Sequence, residues 1–116
     1  VYAACRLMEI LADTGKRISE LLADVPATFS TPEIRVKCPD EAKFAVVEKA
    51  TEYFRGKYNV IDIDGARVVF DDGWGLVRAS NTQPALVLRF EALSQQRLAE
   101  IRDLVESALE KIKAEV

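Results

Sequence analysis

The sequence predicts an α+β fold: a mostly antiparallel sheet with two helices on one face, in the order β-α-β-β-β-β-α, preceded by two short helices. Three observations predict it. Residues 86–92 alternate, with Leu86, Leu88, Phe90 and Ala92 on one side and Val87, Arg89 and Glu91 on the other. Near the end of the chain, Leu98, Ile101, Val105, Ala108 and Ile112 recur at helical spacing and form a single apolar stripe. Between these limits and Gly56, short apolar runs are separated by turn residues such as Asp64-Gly65 and Asp71-Asp72-Gly73.

The elements follow in order. Ala4, Leu7, Met8 and Leu11 share one stripe of a helix over 2–13, and Gly15 is placed to end it. Ile18, Leu21 and Leu22 give a second short helix over 16–23. Pro26 and Ser30-Thr31-Pro32 then interrupt any helix. Two short helices cannot build a core alone. Residues 1–25 are therefore expected to be the helical tail of a preceding domain, and residues 26–116 the domain proper. Glu33 to Lys37 alternates as a strand. Asp40 is the expected N-cap of a helix running to about Phe54, with Phe44, Val47, Ala50 and Phe54 buried and Gly56 closing it. Strands at 60–63 and 67–70 flank Asp64-Gly65, and strands at 74–79 and 85–92 follow. Ser94 is the expected cap of the last helix, over 94–114. Both helix stripes should cover the Leu86/Leu88/Phe90 face, leaving the Arg89/Glu91 face for solvent or another domain.

Composition narrows the function. A chain 49% hydrophobic and 30% charged has the profile of a soluble globular protein, not of a disordered tail. Its net charge is −3, with no clustered basic stretch, which argues against nucleic acid as a partner. Any anion site must be local. The chain has no histidine, which removes Ser/His and Cys/His nucleophile pairs and argues against zinc. Cys5 and Cys38, distant in sequence, read as reduced thiols of a cytoplasmic protein, with a disulfide between them as the other reading. No apolar run approaches the ~20 residues of a membrane span. The first residues lack the basic start of a signal peptide and read as a helix. The chain begins without Met, as a piece of a longer protein would. Asp62, Asp64, Asp71 and Asp72 are explained by their hairpin turns without a metal.

One segment carries chemistry. Arg78 ends a strand, and Ser80, Asn81 and Thr82 follow at once. A guanidinium donates two parallel hydrogen bonds to phosphate oxygens. Two hydroxyls and an amide add donors of adjustable direction, and turn N–H groups can form an anion nest. Pro84 holds Gln83 extended and stiffens the exit of the loop. The same residues are also ordinary turn vocabulary, so their types alone leave phosphate binding and a plain solvated turn both open. Trp74 is open between packing and stacking on a sugar. Gly73 and Gly75 serve either turn geometry or close backbone approach.

The run from Gly73 to Thr82, with Pro84 and Leu86-Val87-Leu88-Arg89-Phe90-Glu91, closely resembles the last domain of bacterial phosphomannomutase/phosphoglucomutase, of the alpha-D-phosphohexomutase family. Ser30-Thr31-Pro32-Glu33-Ile34 and the Asp64-Gly65-x-Arg67 hairpin resemble it too, so the likeness covers nearly the whole chain. The Arg-Ala-Ser-Asn-Thr form differs from the Ser-Gly-Thr form typical of the phosphoglucosamine mutase branch. The resemblance implies a TATA-binding-protein-like fold for this fourth domain. It implies an isomerase, an intramolecular phosphotransferase of carbohydrate metabolism that reversibly converts hexose 1-phosphate to hexose 6-phosphate through a bisphosphorylated intermediate. A phosphoserine in the first domain, Mg²⁺ held by aspartates of the second and a sugar-reading third domain belong to that picture. By the resemblance, Arg78, Ser80, Asn81 and Thr82 grip the phosphate of glucose or mannose 1- or 6-phosphate. The expected partners are this sugar phosphate and the other domains of the same chain. No catalytic serine motif or aspartate metal motif is present, so no catalytic residue, metal or cofactor is expected within these residues, and the segment alone should not turn over substrate. The alternative is a stand-alone ligand-binding or interaction domain sharing the fold.

Overall fold

The computed structural model describes residues 1–116. The elements are α1 (Tyr2–Thr14), a single 3-10 turn (Ile18–Glu20), β1 (Phe29–Ser30), β2 (Ile34–Lys37), α2 (Asp40–Arg55), β3 (Asn59–Ile61), β4 (Ala66–Phe70), β5 (Gly73–Ala79), β6 (Ala85–Ala92) and α3 (Gln95–Glu115). The expected α+β class holds: six strands pair in one antiparallel sheet of order β1-β6-β5-β4-β3, with β2 also paired to β6.

The alternation of β6 explains the core. Leu86, Leu88, Phe90 and Ala92 are all at or below 1% exposure, and Val68 and Val77 from β4 and β5 join them on the same side. Helices α2 and α3 cover that face. α3 buries Leu98, Ile101, Val105, Ala108, Leu109 and Ile112, and the Ser94 hydroxyl accepts the Arg97 N–H at 3.1 Å as its cap. α3 lies so close to β5 that a Cβ on Gly75 would meet Phe90 at 3.0 Å and Val105 at 3.1 Å. Gly75 is therefore a close-approach glycine.

Several expectations need correction. In α2 the buried stripe is Lys43, Val46, Ala50 and Phe54. Phe44 is 58% exposed, because the helix is rotated by about one residue relative to the pattern its aromatic suggested. The N-cap is Pro39, not Asp40, which opens the first turn instead. Gly56 closes α2 in a right-handed conformation, so its freedom is not needed there; Gly15, at φ 65°, ends α1 as expected. The segment 16–23 makes only one 3-10 turn, not a short α-helix.

Ser30-Thr31-Pro32 interrupts the helices as expected, and its first residue joins the sheet. β1 pairs Phe29 and Ser30 with Ala92 and Glu91, and Thr31 donates its N–H to Phe90 O at 3.0 Å. Pro32 has no N–H to give, and the register slips by one residue before Ile34 meets Leu88. This is a bulged edge strand, where proline is tolerated. α1, for all its apolar stripe, buries none of its residues.

Candidate functional site

The open face of the sheet positions the candidate residues. Arg35 on β2, Val87 on β6 and Arg78 on β5 lie in one cross-strand row, because Val87 pairs with both arginines. The row ends at Gly65, whose φ is +82°. A Cβ there would meet Val77 O at 2.3 Å and Arg78 Cβ at 2.7 Å, so only glycine lets the β3–β4 loop pass this close to Arg78. The two guanidinium-bearing residues therefore stand on either side of a buried valine, held by hydrogen-bonded backbone.

Between them lies a polar cleft of about 320 Å³, lined by Glu33, Arg35, Arg78, Val87 and the loop residues Ser80, Asn81, Thr82 and Gln83. The structure thus brings all four sequence-predicted residues, Arg78, Ser80, Asn81 and Thr82, to one wall. Val87 is the sole hydrophobic member, so the cleft offers donors and charge but little surface for a sugar ring. Arg78 is about one-third exposed, and its nearest carboxylate, Asp64, is 3.4 Å away, a long contact that uses little of the guanidinium's capacity.

Ser80 organises the loop. Its Oγ accepts the backbone N–H groups of Gln83 at 3.2 Å and Thr82 at 3.4 Å. Both amides are thereby taken up by that oxygen, and the hydroxyl keeps its own proton to donate outward. The side chains of Asn81 and Thr82 are exposed at the tip. The loop is tied down at its root: Ser80 N–H donates to Ala85 O at 2.9 Å, and Cys38 N–H donates to Pro84 O at 3.1 Å.

Sequence reasoning missed Arg35, Gln83, Glu33 and Lys43. Arg35 donates through Nε to Glu33 at 2.9 Å and through Nη1 to the Gln83 side-chain oxygen. Its signal was present in the alternation of β2, which puts it on the same face as Val87, but the β2–β6 register that brings it to the loop is tertiary. Lys43 donates to Asp40 at 2.7 Å and to the backbone oxygen of Gln83 at 3.2 Å.

Other groups serve packing. The Arg67 guanidinium lies 4.5 Å from the centre of the half-buried Trp74 ring, which occupies a face a sugar would need. Cys5 and Cys38 are free, the first exposed and the second buried. Burial pushes the Cys38 thiol above its ordinary value, more than the nearby Lys113 and Lys43 lower it. No group of three or more His, Cys, Asp or Glu side chains could hold a metal ion. No helix is long and apolar enough to cross a membrane.

Comparison with known proteins agrees with this architecture. Residues 33–108 match the family model described as phosphoglucomutase/phosphomannomutase, C-terminal domain. A phosphomannomutase/phosphoglucomutase of Pseudomonas putida is 44% identical over 100% of this chain and 25% of its own length. A phosphoglucomutase of Neisseria gonorrhoeae is 42% identical over 95% of this chain and 24% of its own. A probable phosphoglucosamine mutase of Methanopyrus kandleri reaches 42% over 87% of this chain and 22% of its own, so overall identity does not separate the sugars named. The crystal structure of a phosphoglucomutase/phosphomannomutase family protein from Burkholderia thailandensis superposes with a TM-score of 0.70 at 39% identity, covering 97% of this chain and 23% of that one. The chain spans about a quarter of the length of these relatives.

Proposed function

The chain belongs to the phosphoglucomutase/phosphomannomutase family, as its C-terminal domain, and from that premise we propose that it is the substrate phosphate-binding domain of a phosphohexomutase. The whole enzyme would convert hexose 1-phosphate to hexose 6-phosphate, of glucose or mannose, through a bisphosphorylated intermediate. The sugar phosphate and the remaining domains of the same chain would be its partners. The setting is the cytoplasm, where charged sugar phosphates are retained by the membrane. Residues 1–25 would be the tail of the preceding domain, which accords with an α1 that buries nothing here.

The observation that carries this reading is the cleft wall: Arg78, with only a 3.4 Å carboxylate contact, beside a turn in which Ser80 Oγ accepts the 82 and 83 N–H groups and keeps its own proton to donate. A phosphate dianion would replace the Asp64 contact with a two-point guanidinium contact. Its remaining oxygens would take the Ser80 hydroxyl and the donors of Asn81 and Thr82. Because the cleft is polar around Val87 alone, it would read the phosphate and not the sugar, and so accept a substrate in either orientation. No bond is made or broken by these residues. Their contribution is positioning and electrostatic stabilisation, a large share of phosphoryl-transfer catalysis.

The test is steady-state kinetics of the full-length protein containing this domain. A charged hydrogen bond contributes roughly 1.5–3 kcal/mol, so Arg78→Ala should lower kcat/KM by about 10- to 150-fold. Thr82→Ala should cost less, and Arg78→Lys should recover only part, since an ammonium cannot make the planar contact. An Arg78→Ala enzyme with unchanged kcat/KM would overturn the clamp.

A further inference from the structure

We propose that Lys43, on α2, is a positioning residue for the phosphate loop. This inference rests on the clamp reading above and names the part of the fold that sets its geometry. The buried stripe of α2 reads Lys43, Val46, Ala50 and Phe54, and position 43 is the one place where it is not apolar. Lys43 is also the one buried polar or charged residue of the chain, at 4% exposure. Burying an ammonium is strongly unfavourable unless it is paired and hydrogen-bonded, and a site that breaks the local pattern without need is a mark of function. A methionine or leucine would satisfy the stripe equally well.

The use of that ammonium is visible in its contacts. Nζ donates to Asp40 Oδ1 at 2.7 Å and to Gln83 O at 3.2 Å. Gln83 is the residue whose N–H closes the turn on Ser80 Oγ at 3.2 Å and whose side-chain oxygen accepts from Arg35. Lys43 thus holds, from beneath, the Gln83–Pro84 peptide, whose carbonyl also accepts the Ala85 N–H at 2.8 Å, and so anchors the residue that closes the turn on Ser80. The Cys38 N–H grips the neighbouring carbonyl of Pro84 at 3.1 Å. Asp40, the other partner, is two-thirds exposed, so its charge is largely screened by water, while the ammonium lies between the helix and the loop. The lysine therefore does two things at the loop: it anchors Gln83, and with it the turn that orients the Ser80 hydroxyl, and it places a positive charge behind that turn. A purely apolar stripe would do neither.

The experiment uses this chain, with inorganic phosphate as the probe and amide NMR as the readout, on the wild type, Lys43→Met and Lys43→Arg. Lys43→Met keeps the apolar stem, so the melting temperature without phosphate should stay within a few degrees. Phosphate affinity should nevertheless fall at least about tenfold, because the loop loses both its anchor and the positive charge behind it. Lys43→Arg should retain more affinity than Lys43→Met. A residue that only stabilised the fold would move the melting temperature and leave affinity alone. Should Lys43→Met fail to fold, the wild type still decides: the Lys43 Cε and Nζ resonances should shift along with the 80–83 amides as phosphate saturates. Unmoved Lys43 resonances beside shifting loop amides, or a folded Lys43→Met with wild-type affinity, would overturn the inference alone. No phosphate response of the wild-type loop would overturn the clamp reading itself.

Discussion

Strand β5 ends in two loops that differ in how their charges are used. At its start, the Asp71–Asp72 turn is gripped from α3 by Arg97, whose guanidinium binds Asp72 at 2.9 Å and Glu100 at 3.0 Å and lies 5.2 Å from the Phe70 ring. Those bonds, Asp72 first, raise the Arg97 pKa. At its end, the Ser80–Pro84 loop is gripped from α2 by Lys43, which pairs with Asp40 at 2.7 Å but meets the loop itself on a neutral carbonyl. Arg78 beside it has only the distant Asp64. One loop has its cations matched by anions and is complete as it stands. The other carries cation and donors that the protein leaves only partly engaged. The difference separates a structural turn from a binding one more sharply than residue types, because both loops contain ordinary turn residues.

Both loops depend on the same sheet and helices, so the largest effects should come from that shared core. Leu88→Ala and Ile101→Ala, each at 0% exposure, should cost about 2–5 kcal/mol of stability in urea unfolding. Values near zero would show that the two ends of β5 are not braced by this packing. A smaller effect isolates the structural turn. Arg97→Ala should cost about 1 kcal/mol, for a partly exposed ion-pair network and one cation–ring contact, while phosphate affinity stays unchanged. A loss of affinity with Arg97→Ala would erase the distinction between the two loops.

The smallest effect concerns Cys38, at the root of the binding loop. Its folded pKa lies above the ordinary thiol value of 9.0, raised chiefly by burial. The unfolded chain would therefore lose this proton first as pH rises. The stability so held is present below pH 9.0 and is lost as pH climbs through the folded value. The urea midpoint of the wild type should fall more between pH 8 and pH 10 than that of Cys38→Ala, while exposed Cys5 reacts with thiol reagents well before Cys38. Equal pH slopes in the two proteins would contradict the burial argument.

Much of this was legible in the sequence where one face is buried and the other wet. The alternation of β6 and the stripe of α3 each gave the right face, because burial leaves a period that the chain cannot hide. Arg78 and the Ser80-Asn81-Thr82 turn were legible as chemistry, and the resemblance named their use. The failures share a cause. Phe44 was assigned to the core by its place in the stripe, but the helix turns Lys43 inward, where it adds a second donor to a loop carbonyl forty residues away that already accepts the Ala85 N–H. Two-residue β1 exists only through its pairing with Ala92 and Glu91, which no local pattern encodes. Arg35 reached the cleft through the β2–β6 register, past a bulge at Pro32. These are long-range facts, and two of them, Lys43 and Arg35, sit next to the site.

The most direct test is a titration of this chain with inorganic phosphate, read at every backbone amide, for the wild type, Arg78→Ala and Arg97→Ala. The account predicts shifts confined to residues 78–84 and the neighbouring strand ends, an Arg97→Ala protein that binds like the wild type, and an Arg78→Ala protein at least about tenfold weaker. Shifts of equal size spread over the basic side chains of α3, with all three proteins binding alike, would mean diffuse attraction and no clamp.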